Sequence, residues 1–132
     1  MRGTVLLLDS QRARLEWAEL FRANGLLVYE AARPEDAFDQ VDRVAPDVVV
    51  GLLDAGIGAS VIRELRARVD YATSIITISD VDHCELARDA GSDAVLLKSV
   101  PPTEVLYEVR RALILRRSGR RLPWRAGTSS VP

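Results

Sequence analysis

The chain has 132 residues, a net charge of −1 and 48% hydrophobic residues. This length suits one domain that buries a full core by itself, and the single cysteine, Cys84, excludes an intramolecular disulfide. The apolar run near Met1 is too short for a signal peptide, and no segment reaches the roughly 20 apolar residues of a membrane span, so we expect a cytoplasmic domain.

Charge is unevenly distributed along the sequence. Residues 1–109 carry all 19 acidic residues and 11 basic ones, a net charge of −8, whereas residues 110–132 add seven arginines. Arginines at the end of a helix are favoured by the helix macrodipole, but a cluster of them can also contact phosphate or an acidic partner. Binding of the tail to nucleic acid or to a membrane surface therefore stays open as an alternative, and such binding would weaken steeply with salt.

Short apolar runs between polar or turn residues predict five strands. The predicted strands are Thr4–Leu8, Leu26–Ala31, Asp47–Leu53, Ser74–Ser79 and Ala94–Leu97. The third, in the stretch APDVVVGLLD, is almost entirely apolar, as expected for a strand that is buried on both faces. We expect it to lie at the centre of a parallel sheet, where reactive groups collect at the carboxyl ends of the strands.

Segments with helical spacing follow the predicted strands. These segments are Gln11–Ala23, Glu35–Val44, Ser60–Val69, Val81–Ala90 and a last helix that starts at Pro101-Pro102-Thr103. Ser10 is suited to cap the first helix and Gly25 to end it, while Trp17 and Phe21 are predicted to pack on the sheet. Pro34 suits the first position of the second helix.

The last helix is predicted to have two faces. Its core stripe comprises Val105, Leu106, Val109, Ala112 and Leu113. Tyr107, Ile114 and Leu115 fall outside this stripe, which suggests a homodimer or partner contact through the helix. Beyond Ser118-Gly119 the sequence has no periodicity, and residues 118–132 are predicted to form a mobile basic tail.

The alternation of five strands with five helices predicts an α/β fold over residues 1–117. Short right-handed crossovers favour a three-layer, doubly wound parallel sheet in the strand order 2-1-3-4-5, as in flavodoxin-like proteins.

The sequence resembles the receiver domains of bacterial two-component response regulators, the CheY-like family, over about residues 3–117. The resemblance lies in the order of the motifs VLLLD, EAARPEDA, PDVVV, IITIS, AGSDAVLLK and PPTEVL, of which the last two are the most specific. It implies an aspartate that accepts phosphate after the third strand, an acidic pair that holds Mg²⁺ after the first, a hydroxyl after the fourth and a lysine after the fifth. Metal and lysine neutralise the charge of the carboxylate and the phosphoryl group.

Carried onto this chain, the resemblance matches three of these positions. Asp9 matches one acid of the pair, while Ser10 or a one-residue deletion replaces the other. Ser79 matches the hydroxyl and Lys98, which is the only lysine of the chain, matches the lysine. Val95 stands where the family often has Tyr or Phe.

The acceptor position falls on Leu52, whose side chain cannot be phosphorylated. Asp54 lies two residues further, on the same side of an extended chain, and could act as a displaced acceptor only if the strand ran longer than usual. We therefore expect a degenerate, or pseudo-, receiver that is no enzyme and acts through protein contacts. The alternative is a Mg²⁺-dependent phosphoacceptor that uses Asp54 with Asp9, Ser79 and Lys98. A histidine kinase or an output domain would be the partner, and nucleic acid is disfavoured.

Two weaker motifs have other interpretations. His83 and Cys84 are adjacent, but a soft metal would need further ligands that the sequence does not offer. Gly56 and Gly58 follow a strand, yet a dinucleotide fingerprint needs a third glycine that opens a helix. Apart from Mg²⁺ in the phosphoacceptor alternative, no cofactor is expected.

Overall fold

A computed structural model describes residues 3–9, 13–52, 58–79 and 84–126 of the chain. Its strands are β1 Thr4–Leu8, β2 Leu27–Ala31, β3 Val48–Leu52, β4 Ser74–Ser79, β5 Ala94–Leu97 and β6 Arg125–Ala126. Its helices are α1 Ala13–Ala23, α2 Pro34–Val44, α3 Ala59–Arg68, α4 Cys84–Ala90 and α5 Pro102–Arg117. The predicted bounds of β1, β4 and β5 are confirmed, and the other predicted elements begin or end within a few residues of their observed bounds.

All neighbouring strands pair in parallel, in the order β2-β1-β3-β4-β5-β6. The predicted order 2-1-3-4-5 is therefore confirmed, and the two-residue strand β6 is an addition at the edge of β5. Helices α1 and α5 contact each other, and α3 contacts both α2 and α4. The result is a three-layer domain with helices on both faces of the sheet.

The core follows the apolar runs of the central strands. The side chains of Val5 to Leu8 in β1 and of Val48 to Val50 in β3 are fully buried. Trp17 and Phe21 of α1 are 6% and 0% exposed, so their predicted role in the core is confirmed. Strands covered on both faces need apolar side chains at successive positions, which explains why these two runs lack alternation.

Local signals explain where several elements end. Gly25 has a φ of +84°, and the Leu26 N–H donates to the Phe21 carbonyl at 3.1 Å, so α1 ends at the predicted glycine. Pro34 occupies the first turn of α2, as predicted. Ser10 as the cap of α1 lies outside the described residues, as do Leu53 and residues 81–83 of the predicted third strand and fourth helix.

The segment after α5 differs from the expectation of a mobile tail in the part that the structure describes. Leu122 is 3% exposed, and Arg125–Ala126 pair with β5 as β6. The sequence has no periodicity here because a single buried leucine and a two-residue strand are too short to produce one. Mobility of residues 127–132, which lie outside the described residues, stays a prediction. Within the described ranges, no helix is both long and apolar enough to cross a membrane.

Candidate functional site at the carboxyl edge of the sheet

The sheet brings the predicted site positions to one edge. Leu8 of β1 pairs with Gly51 of β3, so Asp9 and Leu52 follow as neighbours in the same register. On the other side of β3, Leu52 pairs with Ile78 of β4. Ser79 comes next along β4, and all of these positions therefore lie at the carboxyl ends of adjacent parallel strands.

Asp9 is a fully buried carboxylic acid at this edge. Its backbone N–H donates to the Ala31 carbonyl at 3.0 Å, which continues the pairing of β1 with β2 by one residue. This bond fixes the backbone from which the Asp9 side chain projects. A buried carboxylate at the end of a parallel strand is a natural oxygen ligand for a hard cation.

Ser79 and Lys98 are held together through the backbone. Ser79 is the last residue of β4 and is fully buried, and the Lys98 N–H donates to its carbonyl at 3.2 Å. The Lys98 side chain is exposed at the end of β5. The backbones of Ser79 and Lys98 thus meet where β4 and β5 end.

Leu52 closes β3 between the strands of Asp9 and Ser79. An aliphatic residue therefore stands at the strand end nearest to both. Asp54, the candidate displaced acceptor, lies outside the described residues, and so do Ser10 and His83. Gly58, the second glycine of the rejected dinucleotide motif, immediately precedes α3.

Mg²⁺ has one described carboxylate available here, that of Asp9. A hard cation takes six or more oxygen ligands, several of which are waters, and usually one or two carboxylates. Among the described residues no group of three His, Cys, Asp or Glu side chains is placed to hold a metal. Asp9 fits a single ligand position, and a second carboxylate would have to come from Asp54.

The exposed side of α5 retains two of the three predicted interface residues. Tyr107 is 57% exposed and Ile114 is 65% exposed, and seven residues, about two helical turns, separate them. Leu115, by contrast, is partly buried and packs against the core. Its expected exposure was wrong, because its side chain packs against the core.

At the opposite, amino-terminal end of the sheet, an ion-pair network joins three elements that the sequence did not connect. Asp47 precedes β3 and accepts hydrogen bonds from the Thr4 N–H at 2.9 Å and from Arg116 Nε at 2.6 Å. Arg116, in the last turn of α5, also donates to Asp70 at 3.2 Å. Burial lowers the pKa of Arg116, but its bonds to Asp47 and Asp70 outweigh this effect and raise that pKa overall.

A second ion pair at this end is more deeply buried. Asp93 precedes β5, is 6% exposed, and accepts from the Ile75 N–H at 2.8 Å and from Arg66 at 3.0 Å. Arg121 lies 3.0 Å from its other oxygen. Burial raises the pKa of Asp93 above its ordinary value, although these three donors act in the opposite direction.

The only sequence signal for both networks was an acidic residue directly before a buried strand, Asp47 before β3 and Asp93 before β5. Their arginine partners lie 69 and 27 positions away along the chain. Periodicity reports only residues that are close in sequence, so it could not identify them.

Known proteins that resemble this chain include a transcriptional activator and several response regulators. No protein-family model matches the sequence. The chain is 36% identical over 120 residues to the transcriptional activator protein ExaE of Pseudomonas putida, and the match covers 84% of this chain and 55% of that protein. The chain thus spans about half the length of this relative.

The solved structures that resemble this chain are matched over a larger share of their own length than ExaE is. A two-component response regulator of the LuxR family from Aurantimonas sp. SI85-9A1 is 26% identical, with a TM-score of 0.74 over 92% of this chain and 89% of that one. The chemotaxis response regulator CheY4 of Vibrio cholerae has a TM-score of 0.76 at 18% identity, over 85% of this chain and 99% of that one. At that identity the likeness to CheY4 establishes the fold alone.

Proposed function

Because this chain belongs to the CheY-like receiver domains of two-component response regulators, we propose that it is a degenerate receiver, which acts through protein contacts without phosphorylation of an aspartate. In this proposal the chain is no enzyme and needs no Mg²⁺. It keeps the sheet and the neighbouring polar positions of a receiver but has no nucleophile at the strand end between them.

One observation carries the proposal. Leu52 ends β3 in register with Ile78 and next to Asp9, with Ser79 and Lys98 on the far side. Leu52 is the position at which the resemblance places the acceptor, on the strand between those that end at Asp9 and Ser79. A leucine has no atom that can attack phosphorus, so three supporting groups surround a position that cannot react.

The alternative is a phosphoacceptor at Asp54, supported by Asp9, Ser79 and Lys98, with Asp9 as a ligand of Mg²⁺. Asp54 follows Leu52 by two residues, so both side chains would point the same way if the strand continued. The described part of β3 ends at Leu52.

Phosphorylation by acetyl phosphate separates the two functions. The intact protein is incubated with acetyl phosphate and Mg²⁺, and its mass is measured under conditions that preserve acyl phosphates. We expect no phosphoryl adduct on the natural chain. A Ser10→Asp/Leu52→Asp double variant serves as the positive control, since it supplies an acidic pair and an acceptor at the family positions, and we expect it to gain one adduct.

An adduct on the natural chain would refute the degenerate receiver. The Asp54→Asn variant then identifies the acceptor: loss of the adduct establishes the alternative, and its persistence assigns the phosphate to another residue. The double variant shows that the assay detects an acyl phosphate on this fold.

The partners proposed for this chain are other signalling proteins. The relative ExaE is named as a transcriptional activator, and this chain spans about half of it. By analogy we propose contact with a histidine kinase or with an output domain, and a homodimer through Tyr107 and Ile114 of α5. Sedimentation velocity at micromolar concentration tests the homodimer: a Tyr107→Ser/Ile114→Ser variant should sediment as a smaller species than the natural chain. Equal sedimentation of the two would exclude this interface.

A further inference from the structure

Residues 120–126, which we call the C-terminal arm, fold back onto the domain directly after α5. The helix ends at Arg117, and Gly119 turns the chain with a φ of +72°. The Arg120 N–H then donates to the Leu115 carbonyl at 3.0 Å. The turn is so short that the direction of the arm depends on the left-handed conformation of Gly119, which residues with a Cβ rarely adopt.

The arm fills a groove beside β5 with backbone bonds and one buried side chain. Leu122 is 3% exposed, and its N–H donates to the buried Ser74 Oγ at 2.8 Å. Further along, Arg125 and Ala126 pair in parallel with Ala94 and Val95. The arm therefore acts as an added strand on the edge of β5, which is a common mode of peptide recognition.

Charged and aromatic groups fix the sequence of the peptide that fits. Arg121 lies 3.0 Å from Asp93 and stacks 4.7 Å above the Tyr71 ring centre. Arg88 of α4 stacks 5.1 Å above the Trp124 ring centre. The groove thus recognises an arginine, a leucine and a tryptophan at successive points of an extended Arg-Leu-Pro-Trp segment.

The Asp93 carboxylate stays hydrogen-bonded when the arm leaves the groove. Without Arg121, the Asp93 carboxylate keeps its bonds to Arg66 and to the Ile75 N–H, at 3.0 and 2.8 Å. Departure of the arm therefore leaves no unpaired buried charge, which is the usual reason why a broken buried ion pair is costly. It does expose the edge of β5, and an open edge strand is a template for pairing with another chain.

From these contacts we propose that the groove beside β5 is a recognition site for an extended Arg-Leu-Pro-Trp segment, filled by the chain's own arm and able to take the arm of a second copy. Every copy carries the segment that fits, and exchange would restore all contacts in both grooves. The nearby arm has the advantage of a high effective concentration, so the exchanged dimer forms only when the turn at Gly119 is opened. This inference is independent of whether the receiver is phosphorylated.

The turn provides the first test, with a matched control elsewhere in the chain. Gly119→Ala places a Cβ on a residue with φ +72°, and Gly25→Ala does the same at φ +84° at the end of α1. A Cβ at either glycine would meet no atom within 4 Å, so both variants carry the same backbone strain without a clash. We expect Gly119→Ala, measured by sedimentation equilibrium, to dimerise at least about tenfold more tightly than the natural chain, and Gly25→Ala to match the natural chain.

A double variant identifies the surface involved. Leu122→Asp added to Gly119→Ala should abolish the gain in dimerisation, because a charged side chain cannot enter the groove. A gain in dimerisation that persists in the double variant, or an equal gain in Gly25→Ala, would overturn arm exchange, because neither depends on the groove beside β5.

The second test supplies the arm as a peptide. In the 132-residue Leu122→Asp chain the groove is open, so the backbone amides of β5 that face β6 should exchange with deuterium at least about tenfold faster than in the natural chain. A synthetic peptide of residues 119–126, GRRLPWRA, should restore their protection, and the same peptide with aspartate in place of leucine should not. Trp124→Ala offers a milder opened chain if Leu122→Asp fails to fold. Unchanged exchange in the opened chain, or no protection by the peptide, contradicts the proposal.

Discussion

The two ends of the sheet differ in how their charged residues are used. At the carboxyl end, Asp9 is buried, Lys98 is exposed and the aliphatic residue Leu52 ends β3. At the amino-terminal end, acidic residues that lead into β3, β4 and β5 each form an ion pair with an arginine from a distant element. Arg116 pairs with both Asp47 and Asp70, and Asp93 pairs with both Arg66 and Arg121.

The difference separates a site that the family uses for chemistry from a site that holds this chain together. In this protein the amino-terminal end tethers α5 to the loops before β3 and β4, and it also anchors the C-terminal arm. The ion pairs favour one arrangement of these elements. Three predictions test whether stability does concentrate at the amino-terminal end.

The largest expected effect is at Asp93. Asp93→Ala leaves the Arg66 guanidinium, whose side chain is 16% exposed, without its carboxylate and removes the acceptor of the Ile75 N–H, so the free energy of unfolding should fall by about 3 kcal/mol or more. Lys98→Met at the carboxyl end changes an exposed side chain, and we expect a change within about 0.5 kcal/mol. Urea unfolding followed by circular dichroism measures both values. Similar losses in the two variants would contradict the contrast between the ends.

A smaller effect is expected at Arg116, with its neighbour as control. Arg116→Met removes the bonds to Asp47 and Asp70 and should lower the free energy of unfolding by about 1 to 2 kcal/mol. Arg117→Met removes an exposed arginine of the same helix turn, and its effect should stay within about 0.5 kcal/mol. Equal effects of the two substitutions in urea would show that the α5 tether contributes nothing specific.

The smallest effect is a pH dependence with opposite signs at two acids of the same end. Burial raises the pKa of Asp93 above 3.8, so its contribution to stability is full below that pH and is lost as the pH rises through the folded-state pKa. The Ala72 N–H and then Arg116 lower the pKa of Asp70, so its contribution is present above 3.8 and is lost as the pH falls through the lowered value.

Two variants isolate these contributions. The free energy of unfolding of the natural chain minus that of Asp93→Asn should fall with rising pH above 3.8. The corresponding difference for Asp70→Asn should rise with pH below 3.8. Urea titrations at a series of pH values give both curves, and slopes of the same sign would show that burial does not dominate at Asp93.

The sequence alone determined the strand order and most element bounds. Buried parallel strands such as TVLLL and SIITIS are continuous apolar runs, and turn residues such as Gly25 punctuate them, so the information is local. The same runs placed Asp9, Ser79 and Lys98 at strand ends that the structure brings to one edge. The resemblance to receiver domains, counted from the motif PDVVV, placed the acceptor position at Leu52.

Tertiary structure decided what depends on residues far apart along the chain. Leu115 lies off the apolar stripe of α5 in the sequence, yet its side chain packs against the core in the folded domain. Leu122 is buried only because Ser74 and the edge of β5 provide a groove for it. Neither residue has neighbours in sequence that reveal its partners, since a single contact between distant segments produces no periodicity.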